Sequence, residues 1–174
     1  MHIEIVNDYQ EISDAAASTI INQVKQKPDS VLCLASGDSA KLAYQKMVER
    51  AKKEQISFSA VHFIGLDEWV GISPHKQGSC ALFLRQILLS PLQIPDDQVH
   101  LFDSMANDLE EECKKMDGII LRKGGIDLML VGIGMNGHIG FNEPGVSPKL
   151  QSHVTQLDAT TQTVGQKYFN PTCH

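Results

Sequence analysis

Four short apolar runs divide the chain: VLCLA (31–35), VHFIGL (61–66), VHLF (99–102) and IDLMLVGI (126–133). Segments of helical period lie between them. From Tyr9 to Gln26 the residues Ile12, Ala15, Ala16, Ile20, Ile21 and Val24 recur at three- and four-residue steps, and Pro28 stops the pattern. KLAYQKMVERAKKE (41–54) reads as a second helix with Leu42, Met47 and Val48 inward, and SCALFLRQILL (79–89) as a third. NDLEEECKKMDGIILRKG (107–124) reads as a fourth, its Glu110, Glu111 and Glu112 suiting the positive end of a helix dipole, with Gly118 a weak point. In the tail, HVTQL (153–157) reads as a strand and residues 160–169 as a helix. Strands alternating with helices predict a single α/β domain over residues 1–174, layered on a mainly parallel sheet. Continuous rather than alternating apolar strands fit a sheet covered on both faces.

In such sheets ligands sit beyond the carboxyl ends of the strands. Three loops there carry polar groups: SGDS (36–39), LDEW (66–69) and MNGHIGFNEP (135–144). The amides around Ser36, Gly37, Asp38 and Ser39 can cradle a phosphate at a helix start; the plainer reading is a tight turn in which Asp38 or Ser39 caps the helix. Asp67 and Glu68 close an apolar strand, where burial raises a carboxyl toward the range of a general base. Neighbours on an extended chain point to opposite faces, so one of the two faces the cleft. In the last loop Gly137 and Gly140 allow the backbone close to a ligand, His138 exchanges protons near neutral pH, and Glu143 is placed to orient it.

Other classes are disfavoured. A net charge of −6 argues against a broad nucleic-acid surface. No apolar run approaches the roughly 20 residues that span a bilayer, and MHIEIVNDYQ lacks the pattern of a secretion signal, so a cytoplasmic protein without a membrane partner is expected. Cys33, Cys80, Cys113 and Cys173 form no CxxC pair and read as reduced, mostly packed thiols. His138, Glu143, Asp67 and His75 are zinc-capable but lack HExxH spacing, so no metal is expected. KQGSC (76–80) lacks the GxSxG elbow, which makes Ser79 a helix start rather than a nucleophile.

LDEWVGI (66–72) together with GIGMNGHIGFNEPG (132–145) resembles the glucosamine-6-phosphate deaminase (isomerase) family. LASGDS (34–39), at the family's phosphate loop, and TQTVGQKYF (161–169) extend the resemblance along the chain. The related 6-phosphogluconolactonases share the sheet and a Gly-x-Gly-x-x-Gly-His loop but lack the Asn-Glu-Pro found at 142–144. The resemblance implies a three-layer Rossmann-like fold and an amino-sugar phosphate substrate. The implied reaction is ring opening, an aldose-to-ketose proton shift and release of ammonia to give fructose 6-phosphate, without metal or redox cofactor. Asp67 matches the base that moves the proton between C2 and C1, His138 the ring-opening acid/base, and Glu143 its orienting partner.

Several positions depart from the family pattern. Asn136 stands where many members have an aspartate beside the histidine, and an amide hydrogen-bonds to imidazole without offering it charge. Asp38 replaces a glycine of the phosphate loop, and an inward carboxylate there repels a phosphate. Lys167 replaces a phosphate-gripping arginine, keeping charge and losing the bidentate fork. Val146, Ser147, His153 and Thr155 replace an activator site, so no activation by N-acetylglucosamine 6-phosphate is expected. Family chains run well past the segment matching Phe169 and add a phosphate-binding lysine. The resemblance therefore implies a C-terminally truncated chain whose uncovered sheet favours homo-oligomerisation. It also keeps an alternative open, a non-catalytic sugar-phosphate-binding module or inactive truncated subunit.

Overall fold

The computed structural model describes residues 2–169. The strands are β1 (Val31–Leu34), β2 (His62–Gly65), β3 (Val99–His100) and β4 (Leu128–Leu130). They form one sheet in the order β3-β2-β1-β4, with every neighbouring pair parallel. Chain order runs outward from β1 to β3 and then returns to the other side of β1. The sheet therefore has a topological switch point between β1 and β4, where α/β sheets open a crevice beyond the strand ends.

Helix α1 (Tyr9–Gln26) starts at Asp8, whose side chain accepts from the Glu11 N–H. It buries Ser13, Ala17, Ile20, Ile21 and Val24, a stripe rotated from the expected one, so Ile12 is 54% exposed. Helix α2 (Asp38–Lys53) buries Ala40, Ala43, Tyr44, Met47, Val48 and Ala51. Its Tyr44 is fully buried and donates to the Ala35 carbonyl at 2.6 Å, pinning the end of β1 to the helix. Helix α3 (Cys80–Leu84), capped by Ser79, runs into a π-helical turn over Arg85–Leu89. Helix α4 (Leu109–Arg122), capped by Asp108, passes through Gly118 without a break. Helix α5 (Ala159–Gly165) continues as a 3₁₀ turn over Gln166–Tyr168.

Side-chain alternation along the strands makes three layers. Leu32, Leu34 and Phe63 pack against α1, α2 and the α3 region; Val31, Cys33 and Ile64 pack on the other face against Met116 of α4. Burial on both faces is why β1 and β2 read as unbroken apolar runs. The outer strands depart from expectation. VHLF contracts to two residues and IDLMLVGI to three, and among the described residues β4 lies at the sheet edge, with Met129 45% exposed. HVTQL forms no strand; Ser152 before it is held by the Asp117 carboxylate through both its N–H and its hydroxyl. Cys33, Cys80 and Cys113 are buried and unpaired, and Cys173 lies outside the described residues. No helix among the described residues is long and apolar enough to cross a membrane.

Candidate active site

A cleft of about 460 Å³ opens at the switch point, lined by the loops that follow β1, β2 and β4 and by α5. Its first wall is the start of α2. The helix begins at Asp38, the third residue of SGDS, and its N-cap is Gly37, so neither Asp38 nor Ser39 caps it. Gly37 has no side-chain oxygen to offer the first-turn amides, which leaves the positive helix end turned to the cleft. Ser36, Gly37, Asp38 and Ser39 all line it.

The end of β2 separates its two carboxylates as strand geometry requires. Glu68 turns away to cap α3, accepting from the Ser79 hydroxyl at 2.9 Å and from the Cys80 and Ala81 amides at 2.9 and 2.8 Å. Asp67 lines the cleft. Burial pushes its carboxyl up to about 6, with the neighbouring Glu68 charge adding to the rise and a hydrogen bond with Cys80 opposing it.

The loop after β4 closes on itself through the Gly134 N–H to the His138 carbonyl (2.8 Å) and the Gly137 N–H to the Gly134 carbonyl (2.9 Å). A Cβ on Gly134 would lie 2.1 Å from the His138 ring, so only glycine lets the imidazole lie there. Gly140, at φ +59°, brings the loop so near β2 that a Cβ would stand 3.1 Å from Asp67 Oδ2. His138 Nδ1 lies 2.7 Å from Asn136 Oδ1. An amide oxygen only accepts, so Nδ1 carries the proton and the Nε2 lone pair is left for chemistry.

Glu143 stands behind this pair. Asn136 Nδ2 donates to its Oε2 at 2.7 Å and the Asp158 N–H to its Oε1 at 3.0 Å, while Oε2 is 4.0 Å from His138 Nδ1. The carboxylate thus acts on the imidazole through Asn136 and not by direct contact. Burial works to raise the Glu143 pKa, but hydrogen bonds from the Thr161 hydroxyl, Asn136 and the Asp158 amide, with the His138 ring nearby, hold it below the usual carboxylate range. Lys167, on the 3₁₀ turn after α5, pairs with Asp38 (Nζ to Oδ2 2.9 Å) and lies 4.8 Å over the Tyr168 ring. That carboxylate, with Tyr168, holds the ammonium pKa above its ordinary value against the pull of burial.

Asp67, Asn136, His138, Lys167 and the SGDS residues therefore share one cleft. Gly137 does not line it, because its amide is engaged in the turn and its bare Cα faces open space. Among the described residues no three His, Cys, Asp or Glu groups come together as a metal-holding set, and His75 is not on the cleft wall. Two lining residues lacked a local signal. The Trp69 ring packs tilted against Phe141 (centroids 4.4 Å apart) and edge-on against Phe169 (5.5 Å), and Gly165 of α5 lies so close that a Cβ would be 2.6 Å from the indole. Thr161, buried at 8% exposure, places Oγ1 3.3 Å from His138 Nδ1. Only the pairing of VGQ with a distant LDEW loop would have found the first, and nothing local marks the second.

The family model for glucosamine-6-phosphate isomerases/6-phosphogluconolactonase matches residues 7–141. Glucosamine-6-phosphate deaminase of Geobacillus sp. (strain WCH70) is 42% identical over 167 residues, covering 96% of this chain and 66% of that protein. The deaminase of Bacillus pumilus (strain SAFR-032) is 38% identical over 98% of this chain and 70% of its own length. The chain thus spans about two thirds of the length of these curated relatives. The solved structure of a monomeric glucosamine-6-phosphate deaminase superposes with a TM-score of 0.94 at 32% identity, covering 98% of this chain and 70% of that one. A 6-phosphogluconolactonase from Thermotoga maritima, at 22% identity and TM-score 0.64 over 78% of this chain and 61% of that one, shares the fold. By sequence, by fold and by the loops that meet at its switch point, the chain belongs to the glucosamine-6-phosphate isomerase/6-phosphogluconolactonase family.

Proposed function

We propose that the chain converts glucosamine 6-phosphate and water to fructose 6-phosphate and ammonia. The observation that carries this is a carboxyl raised to about 6, Asp67, in one cleft with an imidazole, His138, whose Nδ1 is engaged by Asn136. The phosphate sits at the N-terminal end of α2, where Ser36, Gly37, Ser39 and Lys167 supply amides, hydroxyls and a cation. His138 Nε2 takes the proton of the anomeric hydroxyl and returns it to the ring oxygen, opening the sugar. Asp67 then removes the C2 proton and delivers it to C1 while one amine N–H proton passes to O1, leaving a C1 hydroxyl and a C2 imine that water hydrolyses to the ketone, with ammonia as the leaving group. Asn136 and Glu143 hold the imidazole in the required tautomer.

The reading places the protein in the cytoplasm, acting on a small molecule without nucleic-acid or membrane partners, which its charge of −6 supports. The open edge at β4 supports self-association, which size-exclusion chromatography tests.

Ammonia release from glucosamine 6-phosphate is the test, with galactosamine 6-phosphate and 6-phosphogluconolactone alongside. Asp67→Asn abolishes release under this proposal; equal rates in both proteins overturn it. The Lys167–Asp38 pair favours a second reading, a binding module whose cation is already engaged. Calorimetric binding of the sugar phosphate without turnover supports that alternative, and turnover removes it.

A further inference from the structure

Helix α5 buries two residues one turn apart, Thr161 and Gly165. Gly165 lies against the Trp69 indole, where any side chain would collide with the ring. That contact fixes the rotation of the helix, and with it the side chain one turn earlier. Thr161 is accordingly a polar residue at 8% exposure, set between the two groups behind the cleft. Its Oγ1 lies 3.3 Å from His138 Nδ1, and the hydroxyl is near enough to the Glu143 carboxyl to help lower its pKa. A hydroxyl has one proton and two lone pairs. A carboxylate only accepts, so the Thr161 proton points to Glu143, which leaves a lone pair for the Nδ1–H that Asn136 also receives at 2.7 Å. Asn136 is neutral and Glu143 is 4.0 Å from Nδ1, so the threonine provides a second path from the carboxylate to the imidazole.

We propose that Thr161 is a positioning residue that bridges Glu143 to His138, so that the imidazole is held in its working orientation only while α5 is docked on Trp69. The inference rests on the reaction proposed above, and its test is readable without that reaction. Thr161→Val keeps the shape and removes the hydroxyl, whereas Thr161→Ser keeps the hydroxyl and removes the methyl. In Thr161→Val, kcat for glucosamine 6-phosphate falls roughly ten- to hundredfold with KM within about twofold, as expected for loss of a hydrogen bond to a charged group. The Glu143 carboxyl, followed by carbon-13 NMR in the purified chain without substrate, titrates at higher pH than in wild type. Thr161→Ser restores both readings.

Wild-type kcat and an unmoved Glu143 titration in Thr161→Val overturn the proposal. So does a folded Thr161→Ser protein as impaired as Thr161→Val, since the methyl and not the hydroxyl then matters. If no version turns over the sugar phosphate, the assigned reaction fails and the titration alone decides Thr161: a rise in the valine variant reversed in the serine variant supports the bridge, and no rise overturns it.

Discussion

Lys167 Nζ lies 2.9 Å from Asp38 Oδ2, joining the turn after α5 to the first residue of α2 on the wall of the cleft. The pair is exposed, with 44% and 65% of the two side chains accessible, so it is worth at most about 1 kcal/mol to stability. In the proposed reaction its weight falls on ligand binding, because a phosphate placed there must take the ammonium from Asp38 and tolerate the carboxylate. Asp38→Asn is expected to lower KM several-fold with kcat and melting temperature nearly unchanged. Lys167→Ala raises KM. Steady-state kinetics at two ionic strengths separates these effects, since screening weakens the repulsion.

Asp67 carries opposite consequences for activity and stability. Its folded-state value of about 6 lies above the 3.8 of an unperturbed aspartate, so the folded protein favours the protonated form. Stability is therefore undiminished below about 3.8 and falls as pH rises toward 6, where the buried carboxylate must ionise. Asp67→Asn is expected to gain up to about 3 kcal/mol at pH 7.5 by urea denaturation and to gain little at pH 4. As the base of the proposed reaction Asp67 works in its ionised form, so kcat/KM of the wild type is expected to rise with pH through a midpoint near 6.

Gly134→Ala places a methyl where the His138 ring lies, 2.1 Å from its nearest atoms. The imidazole must move, and kcat is expected to fall at least tenfold. Because the loop is outside the core, the melting temperature changes little. Thermal unfolding followed beside ammonia release checks both halves of the expectation.

At the opposite end of the sheet, Lys123 Nζ is 2.9 Å from His62 Nε2, and His62 Nδ1 is 3.2 Å from His100 Nε2. An ammonium only donates, so both imidazoles are neutral links in this chain. Burial holds both histidines below their usual pKa; the Lys123 charge adds to this for His62, and the His62 ring and then Lys123 do so for His100, with Asp97 opposing in both. A depressed histidine contributes stability that is present above the unfolded value near 6.5 and is lost as pH falls. His62→Gln should therefore lose less stability than wild type between pH 7 and 5, measured as the urea midpoint.

Much of this was written in local residue patterns. Apolar runs marked β1 and β2, and apolar steps of three and four residues marked the helices. The polar strand ends marked Asp67 and His138, because a buried strand cannot carry charge except where it leaves the sheet. The outer strands are shorter than their composition suggests, since IDLMLVGI reads as a central strand and nothing in it records that among the described residues β1 alone pairs with it. HVTQL has strand-like composition but no partner. Thr161 was invisible for another reason: an exposed helix face is the ordinary place for threonine, and its burial follows from Gly165 meeting an indole 96 positions earlier in the chain.

The switch point also governs when this site can exist. SGDS and Asp67 come from strands that pair within the first half of the chain, but the His138 loop is set in place by β4, which among the described residues pairs with β1 alone. That junction is also tied by the Val31 amide to the Asp127 carboxylate across 96 residues. Closing so long a segment is entropically slow compared with pairing β1 to β2. In a refolding chain, recovery of function should therefore lag the recovery of helix and sheet signals, making turnover a clock for the longest-range contact in the sheet.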